Sequence, residues 1–338
     1  MEFLKFALEK IGLTSWTART RMETGFSVLS FHRVISEKDP LYFEANSQWS
    51  MKESLFVKIL IALKDSVHFI SSADIKNHFE KGYPLPPKSV HICFDDGWRD
   101  NFTYAFPHLK KMGIPASFFI ATDKIGADTY FWQEALYANF GESANLSEYQ
   151  EAKIVLNKNG FHFDVENSSE SAYIKLFRFL EGMDDLTRKN IFSLLSISSK
   201  SKMSERLFLN EKELKEMHLH GMAIGGHGKS HTPLGKVESV AEEVKQSKIS
   251  LEKILNCEID SMSYPHGIFN QSIQAECQKA GYKLVFSSEK GINISHQNPL
   301  AIKRVFLPSW NICDSKAMAL SERHLRFRIQ KFIGSDSF

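Results

Sequence analysis

The sequence predicts an α/β fold, a distorted (β/α) barrel of about seven strands with a helical insertion. Three observations carry this. Short apolar runs of strand length alternate with amphipathic helical stretches, a pattern that argues a parallel sheet or barrel. Two of those runs stop abruptly at chemistry-bearing residues. Val90-His91-Ile92-Cys93-Phe94 ends in Asp95-Asp96-Gly97, and Met222–Gly226 ends in His227; the carboxyl ends of strands are where such folds keep their sites. The 338 residues, 43% of them apolar and 27 of them Phe, are enough for one elaborated barrel with bulky packing between layers.

Residues 1–25 read as a helical lead. Charge and apolar residues interleave from Met1 to Lys10, without the basic start and unbroken apolar run of a signal peptide. A cytoplasmic protein is therefore expected. The same stretch suits a helix packed on its own domain or one lying on a membrane surface, a peripheral contact. Phe26–Phe31 is the first strand, with His32 at its end. Residues 50–64 form an amphipathic helix with Leu55, Ile59, Leu60 and Leu63 at helical spacing. Val67–Ile70 is a short strand and Ser72–Glu80 a helix. Tyr83-Pro84-Leu85-Pro86-Pro87 is a stiff connector into the strand that carries the two acids. The next helix runs to about Met112, offset by Pro107 and closed by Gly113. Ala116–Ile120 is another strand.

From about 132 to 209 strand signals vanish and helical ones take over, as in Ser169–Leu180. This reads as an insertion between barrel strands. Asn210 with Glu213 makes a capping box for the helix that Gly221 closes. Met222–Gly226 then delivers His227, and Gly225 and Gly226 are expected to let backbone approach closely beside a metal. Val237, Val240, Val244, Leu251, Ile254 and Leu255 share one face of the following helix. Ser261–Tyr264 is a strand that ends at Pro265-His266-Gly267. A helix over Gln271–Ala280 and strands at 284–286 and 302–307 complete a barrel domain set at 26–314. A basic helix at 315–338 closes the chain.

Burying two adjacent acids is costly unless something positive offsets them, and a metal ion is the usual answer. Gly226-His227-Gly228-Lys229-Ser230-His231 carries two histidines four apart. One Asp with two His is a three-ligand set that leaves room for water on zinc or a similar divalent ion. The second Asp is then free to act as a base. Alone, the acids read equally as a solvated turn and the histidines as surface residues; in order, each at a strand end, they argue one site. The net charge of +2 gives no reason to expect nucleic acid as a partner. Cys93, Cys257, Cys277 and Cys313 show no Cys-x-x-Cys spacing, which fits free thiols in a reducing compartment. No Gly-rich phosphate loop with Lys accompanies the Asp pair, which argues against phosphoryl transfer.

These motifs resemble those of the polysaccharide deacetylases of carbohydrate esterase family four, over roughly Phe26 to Trp310. Phe94-Asp95-Asp96-Gly97 matches the first motif of that family. His227 to His231 matches the second, with Gly228 where the family has Ser or Thr. Ser263-Tyr264-Pro265-His266-Gly267 is similar to the third, with Ser263 where an Arg is often found. The resemblance implies that Asp96, His227 and His231 hold a divalent metal, zinc first, and that Asp95 is the general base. It implies an oxyanion site on the backbone near Tyr264, Pro265 and His266. Arg304 would supply the missing arginine charge and orient Asp95, or form an ordinary salt bridge. Trp98 and Trp310 suit a sugar platform, although core packing is the commoner use of Trp.

The late Leu-x-His motif that provides the acid in the family is absent here, so His32, His266 and His296 all stand as candidates. The implied reaction removes an N-acetyl group from an amino sugar of a surface polysaccharide or its precursor. The implied partner is an N-acetylated oligosaccharide or a lipid-linked sugar. Two other readings stay open: a deformylase or deacetylase of a lipid- or nucleotide-linked sugar, and a carbohydrate-binding relative that has lost turnover. Nothing in the sequence sets an oligomeric state.

Overall fold

The computed structural model describes residues 25–141, 146–163, 172–201 and 206–307. The expected helical lead, the basic helix at 315–338 and Trp310 lie outside these residues. The described residues of 1–37, 48–127 and 208–338 form one compact unit, and those of 38–47 and 128–207 form a second.

The first unit is the barrel. Six parallel strands lie side by side in the order β1 (Gly25–Phe31), β5 (Ser89–Phe94), β6 (Ala116–Ile120), β7 (Ala223–Gly226), β8 (Ser261–Ser263) and β9 (Leu284–Phe286). The seventh strand, β11 (Val305–Phe306), pairs in parallel with β1, while Ile302 just before it bridges Phe286 of β9. The segment 302–306 thus joins the last strand to the first and closes the ring. Short strands β4 (His68–Phe69) and β10 (Asn293–Ile294) add to β5 and β1, and β2 (Arg33–Ile35) pairs with β3 (Ser50–Lys52) in a separate ribbon.

Alternation along these strands divides the core in two. Phe26, Val28, Cys93, Phe119, Leu284, Phe286 and Ile302 share one cluster on the inward face. Leu29, Phe31, Val90, Ile92, Phe94, Phe118, Ile224, Met262 and Val285 face the other way, onto the helices. Both faces of a parallel sheet are then buried, which is why its strands read as unbroken apolar runs. The Phe-rich composition is spent here: Phe31, Phe94 and Phe118 stack in sequence at 5.4 and 4.6 Å on the outward face.

The helices over this outward face are α1 (Glu53–Lys64), α3 (Phe106–Met112), α8 (Glu211–Leu219), α9 (Val240–Leu255) and α10 (Gln271–Lys279), whereas α2 (Ser72–Lys81) packs through Ile75 and Phe79 against the inward cluster. Two sequence readings need correction. Residues 50–52 are strand rather than helix, because Arg33–Ile35 offers them a backbone ladder. Val237 precedes the cap Ser239 and is not on the α9 face. Pro107 offsets its helix as read: a π-helical turn over Asn101–Ala105 runs directly into α3, and the wider turn accommodates the ring. The Asn210–Glu213 capping box forms as read, with reciprocal bonds of 2.9 Å. No helix among the described residues is long and apolar enough to cross a membrane.

The second unit contains α4 (Trp132–Phe140), α5 (Leu146–Lys158), α6 (Ala172–Glu181) and α7 (Asp185–Leu194). Trp132 is its hub, stacked on Phe177 at 5.2 Å and lying under the Arg188 guanidinium at 4.5 Å. It takes in residues 38–47 as well as 128–207, and Tyr130 ties the two pieces by donating to Glu44 at 2.7 Å.

His91 sits fully buried on the inward face of β5. Its Nδ1 donates to the Ile70 carbonyl at 2.8 Å, so Nε2 is the acceptor for the Ser117 hydroxyl at 2.9 Å. Burial pushes its pKa down to about 4. The unfolded chain therefore takes up this proton near pH 6.5 while the folded chain does not. Stability falls as the pH drops from about 6.5 to about 4, by about 3 kcal/mol from this group. Urea midpoints across that range test this; the slope is expected to flatten in His91→Gln, and an unchanged slope would assign it to other groups.

Candidate metal centre and active site

Strand β5 ends at Phe94, and the next two residues turn across the carboxyl end of the barrel. Asp95 keeps the inward direction of Cys93, and its N–H donates to the Phe31 carbonyl at 3.0 Å. Asp96 is held at φ +77 and Gly97 at +84. A left-handed Asp is a strained conformation, kept only where surroundings impose it. Trp98 does so, its indole N–H donating to Asp96 Oδ2 at 2.9 Å.

Strand β7 delivers His227 to the same end. Asp96 Oδ1 lies 3.4 Å from His227 Nε2 and 3.2 Å from His231 Nε2, and one donor atom from each of the three residues falls within 4.8 Å of the others. The Nδ1 of His227 faces the Ser263 carbonyl at 2.9 Å. A carbonyl can only accept, so Nδ1 carries the hydrogen and Nε2 presents a lone pair. Asp96 Oδ1, buried and without a well-formed hydrogen bond, presents another. Two lone pairs facing each other call for a positive charge between them. A metal bound at about 2.0–2.2 Å with tetrahedral angles sets its donors about 3.3 Å apart, so the three residues fit a divalent ion. The carbonyl behind His227 is the customary support for a ligating imidazole.

The electrostatics agree. Burial alone would lower His227, but the charges of Asp95 and Asp96 raise it. Burial alone would raise Asp96, yet the two histidines hold it well below the usual carboxylate range. Asp95 is likewise penalised by burial, and Arg304 together with His227 and His32 outweighs this and keeps it ionised. Arg304, 6% exposed, donates from Nη1 to Asp95 Oδ1 at 2.8 Å and from Nε to the Ser287 carbonyl at 2.7 Å. The arginine comes from the closing segment of the barrel, far along the chain from the strand that carries its partner.

The remaining expected site residues fall out as follows. His32 lies at the end of β1, its Nδ1 buried without a partner and its ring 4.8 Å from Trp49 and 5.1 Å from Phe306. His266 is exposed, sits at φ +58 in a tight turn and lies 4.9 Å from His231. Pro265 packs against Gly228. Tyr264 is not at the site: its ring stacks on Phe269 at 4.8 Å, its hydroxyl donates to Leu300, and its N–H donates to the Phe286 carbonyl. Trp98 is no sugar platform, because it is 1% exposed, sandwiched between Phe208 at 4.4 Å and the Arg33 guanidinium at 4.4 Å. Gly225 and Gly226 are required by packing rather than by a metal. A Cβ at Gly225 would meet the Ser261 carbonyl and the Phe119 ring, and one at Gly226 would meet Tyr282 and Ser247.

Glu243, in the first turn of α9, gives no sequence signal of a role here. Its Oε1 accepts from the N–H groups of Lys229 and Ser230 at 2.9 and 2.6 Å and from the Ser230 hydroxyl at 2.8 Å. Those residues form the loop between the two histidines. Gly228 is accounted for by the same clamp: it sits at φ +70, and a Cβ there would press on Glu243 Oε1 and Pro265 at 3.1 Å. Glu243→Ala is expected to weaken metal affinity about 10- to 100-fold, whereas Glu243→Gln, which keeps the acceptor oxygen, stays within a few fold. Competition with a chromophoric chelator measures both; equal affinity in the alanine variant would remove the clamp from the argument.

Comparison with known proteins adds the following. The polysaccharide deacetylase family model matches residues 82–167 and 180–285, more than half of the chain. The Bacillus subtilis (strain 168) protein YxkH is 21% identical over 220 residues, 64% of this chain and 51% of that protein, so the chain spans about half of that relative's length. A poly-β-1,6-N-acetyl-D-glucosamine N-deacetylase of Staphylococcus aureus (strain MRSA252) is 22% identical over 294 residues, 84% of this chain and 79% of that protein. The Staphylococcus epidermidis enzyme of the same name is 32% identical over 111 residues, covering 30% and 38%. Among solved structures, the Streptococcus pyogenes deacetylase PplD in complex with acetate superposes at TM-score 0.56 and 19% identity, over 88% of this chain and 97% of that one. IcaB from Ammonifex degensii does so at 0.56 and 18%, over 91% and 97%. These two likenesses carry the barrel fold.

Proposed function

The chain belongs to the polysaccharide deacetylase family, and we propose that it is a metal-dependent hydrolase that removes N-acetyl groups from an amino sugar of a surface polysaccharide or its precursor. The observation that carries this is the meeting of Asp96, His227 and His231 around one point, with an ionised Asp95 beside them. The staphylococcal relatives, poly-β-1,6-N-acetyl-D-glucosamine N-deacetylases by name, put β-1,6-linked N-acetylglucosamine polymers first among substrates. The mixed nitrogen and oxygen donors of the site favour zinc or a similar first-row ion.

A divalent ion held there supplies the charge that brings the pKa of water towards neutrality and polarises the acyl oxygen. Asp95 takes the proton of the attacking water. Its Oδ1 is engaged by Arg304, which leaves Oδ2 for the proton. The departing amine takes up the proton that Asp95 removed from the water; burial lowers the pKa of His32, so its neutral imidazole is suited to accept that proton and pass it on rather than to hold one at the start. The turn at His266 offers a backbone amide to the developing oxyanion.

The test is acetate release from β-1,6-linked N-acetylglucosamine oligomers by protein that has been stripped of metal and then reloaded. Release that appears on reloading and is absent from the stripped protein supports the reading. No release from any N-acetylated oligomer at any loading would leave a sugar-binding protein instead.

A further inference from the structure

A single exposed tryptophan is ordinary on a protein surface; Trp49 is set apart by what holds it. It is 41% exposed, yet its position is fixed. Its carbonyl accepts the Arg33 N–H at 3.1 Å, which ties it to the β2–β3 ribbon. Its ring leans on Phe306 at 5.2 Å and on His32 at 4.8 Å. Phe306 belongs to the strand that closes the barrel, so the platform is anchored at both ends of the ring closure. His32 in turn feels the charge of both Asp96 and Asp95. One open aromatic surface therefore abuts a histidine that faces the two carboxylates.

We propose that Trp49 is a stacking platform for a pyranose ring of the substrate, beside the point where its acetamide is cleaved. The inference rests on the hydrolase reading above. A pyranose has an apolar face of C–H groups and a rim of hydroxyls. The apolar face suits a rigid indole, and the rim suits the polar groups around the site. A platform held in place before binding loses little conformational freedom when the sugar arrives. Trp98, the tryptophan next to the metal ligands in sequence, is buried and cannot serve.

Two measurements test this. Trp49→Ala is expected to raise KM for N-acetylglucosamine oligomers about tenfold, with Trp49→Tyr restoring most of it. If Trp49 only packs against His32, kcat falls and KM stays. Intrinsic fluorescence of the Asp95→Asn protein, titrated with the same oligomers, is expected to change, and the change is expected to vanish in Asp95→Asn/Trp49→Phe. Turnover by the wild type with an unchanged KM in Trp49→Ala and an unchanged titration would overturn the platform and leave the activity standing. A Trp49-dependent titration without acetate release would keep the platform and discard the activity.

Discussion

Asp96→Ala protein is expected to lose its metal on dialysis and to fall on the order of a thousandfold in acetate release, because two histidines alone hold a divalent ion weakly. Asp95→Asn is expected to behave differently. It keeps all three ligands and keeps an oxygen for Arg304, so metal content stays near that of the wild type. Turnover falls by about 10²–10⁴, the usual contribution of a general base. The two carboxylates are neighbours in sequence but not in environment. One faces two imidazoles and an indole N–H; the other faces a guanidinium. Metal analysis of both variants beside their rates separates the roles. Loss of metal from Asp95→Asn with retention in Asp96→Ala would exchange them.

Features carried by local pattern were legible in the sequence. Apolar runs that end in Asp-Asp-Gly and in His-x-x-x-His placed both halves of the site at strand ends, and strand–helix alternation gave the barrel. Other features depended on contacts distant in sequence. The closing strand β11 falls inside the strand read at 302–307, but its pairing with β1, which closes the ring, joins residues far apart in the chain and has no local signal. Glu243 follows a Ser cap and another Glu, the ordinary chemistry of a helix start, so its clamp on the histidine loop is invisible until the loop folds over it. Trp98 illustrates a third limit. The same indole serves a sugar platform or a buried brace, and only its exposure decides. The helical unit borrows residues 38–47 from upstream, and a reading along the chain has no means of assigning them there.

Arg304→Met is expected to cost about 3–5 kcal/mol of stability in metal-free protein, the range for removing one partner of a buried ion pair. The loss comes less from the bond itself than from what is left behind. Asp95 is 3% exposed, and without the guanidinium its charge faces Asp96 and a barrel interior lined by Cys93, Phe119 and Phe286. The Ser287 carbonyl also loses its donor. A double variant distinguishes this from simple loss of packing. Arg304→Met/Asp95→Asn removes both charges, so it is expected to recover most of the lost stability in urea while staying inactive. If the double variant is as unstable as Arg304→Met, the arginine acts through its stem and the Ser287 bond. If Arg304→Met is itself as stable as the wild type, Asp95 has reached water or taken up a proton. In that case Arg304 maintains the charge state of the base rather than the fold of the barrel.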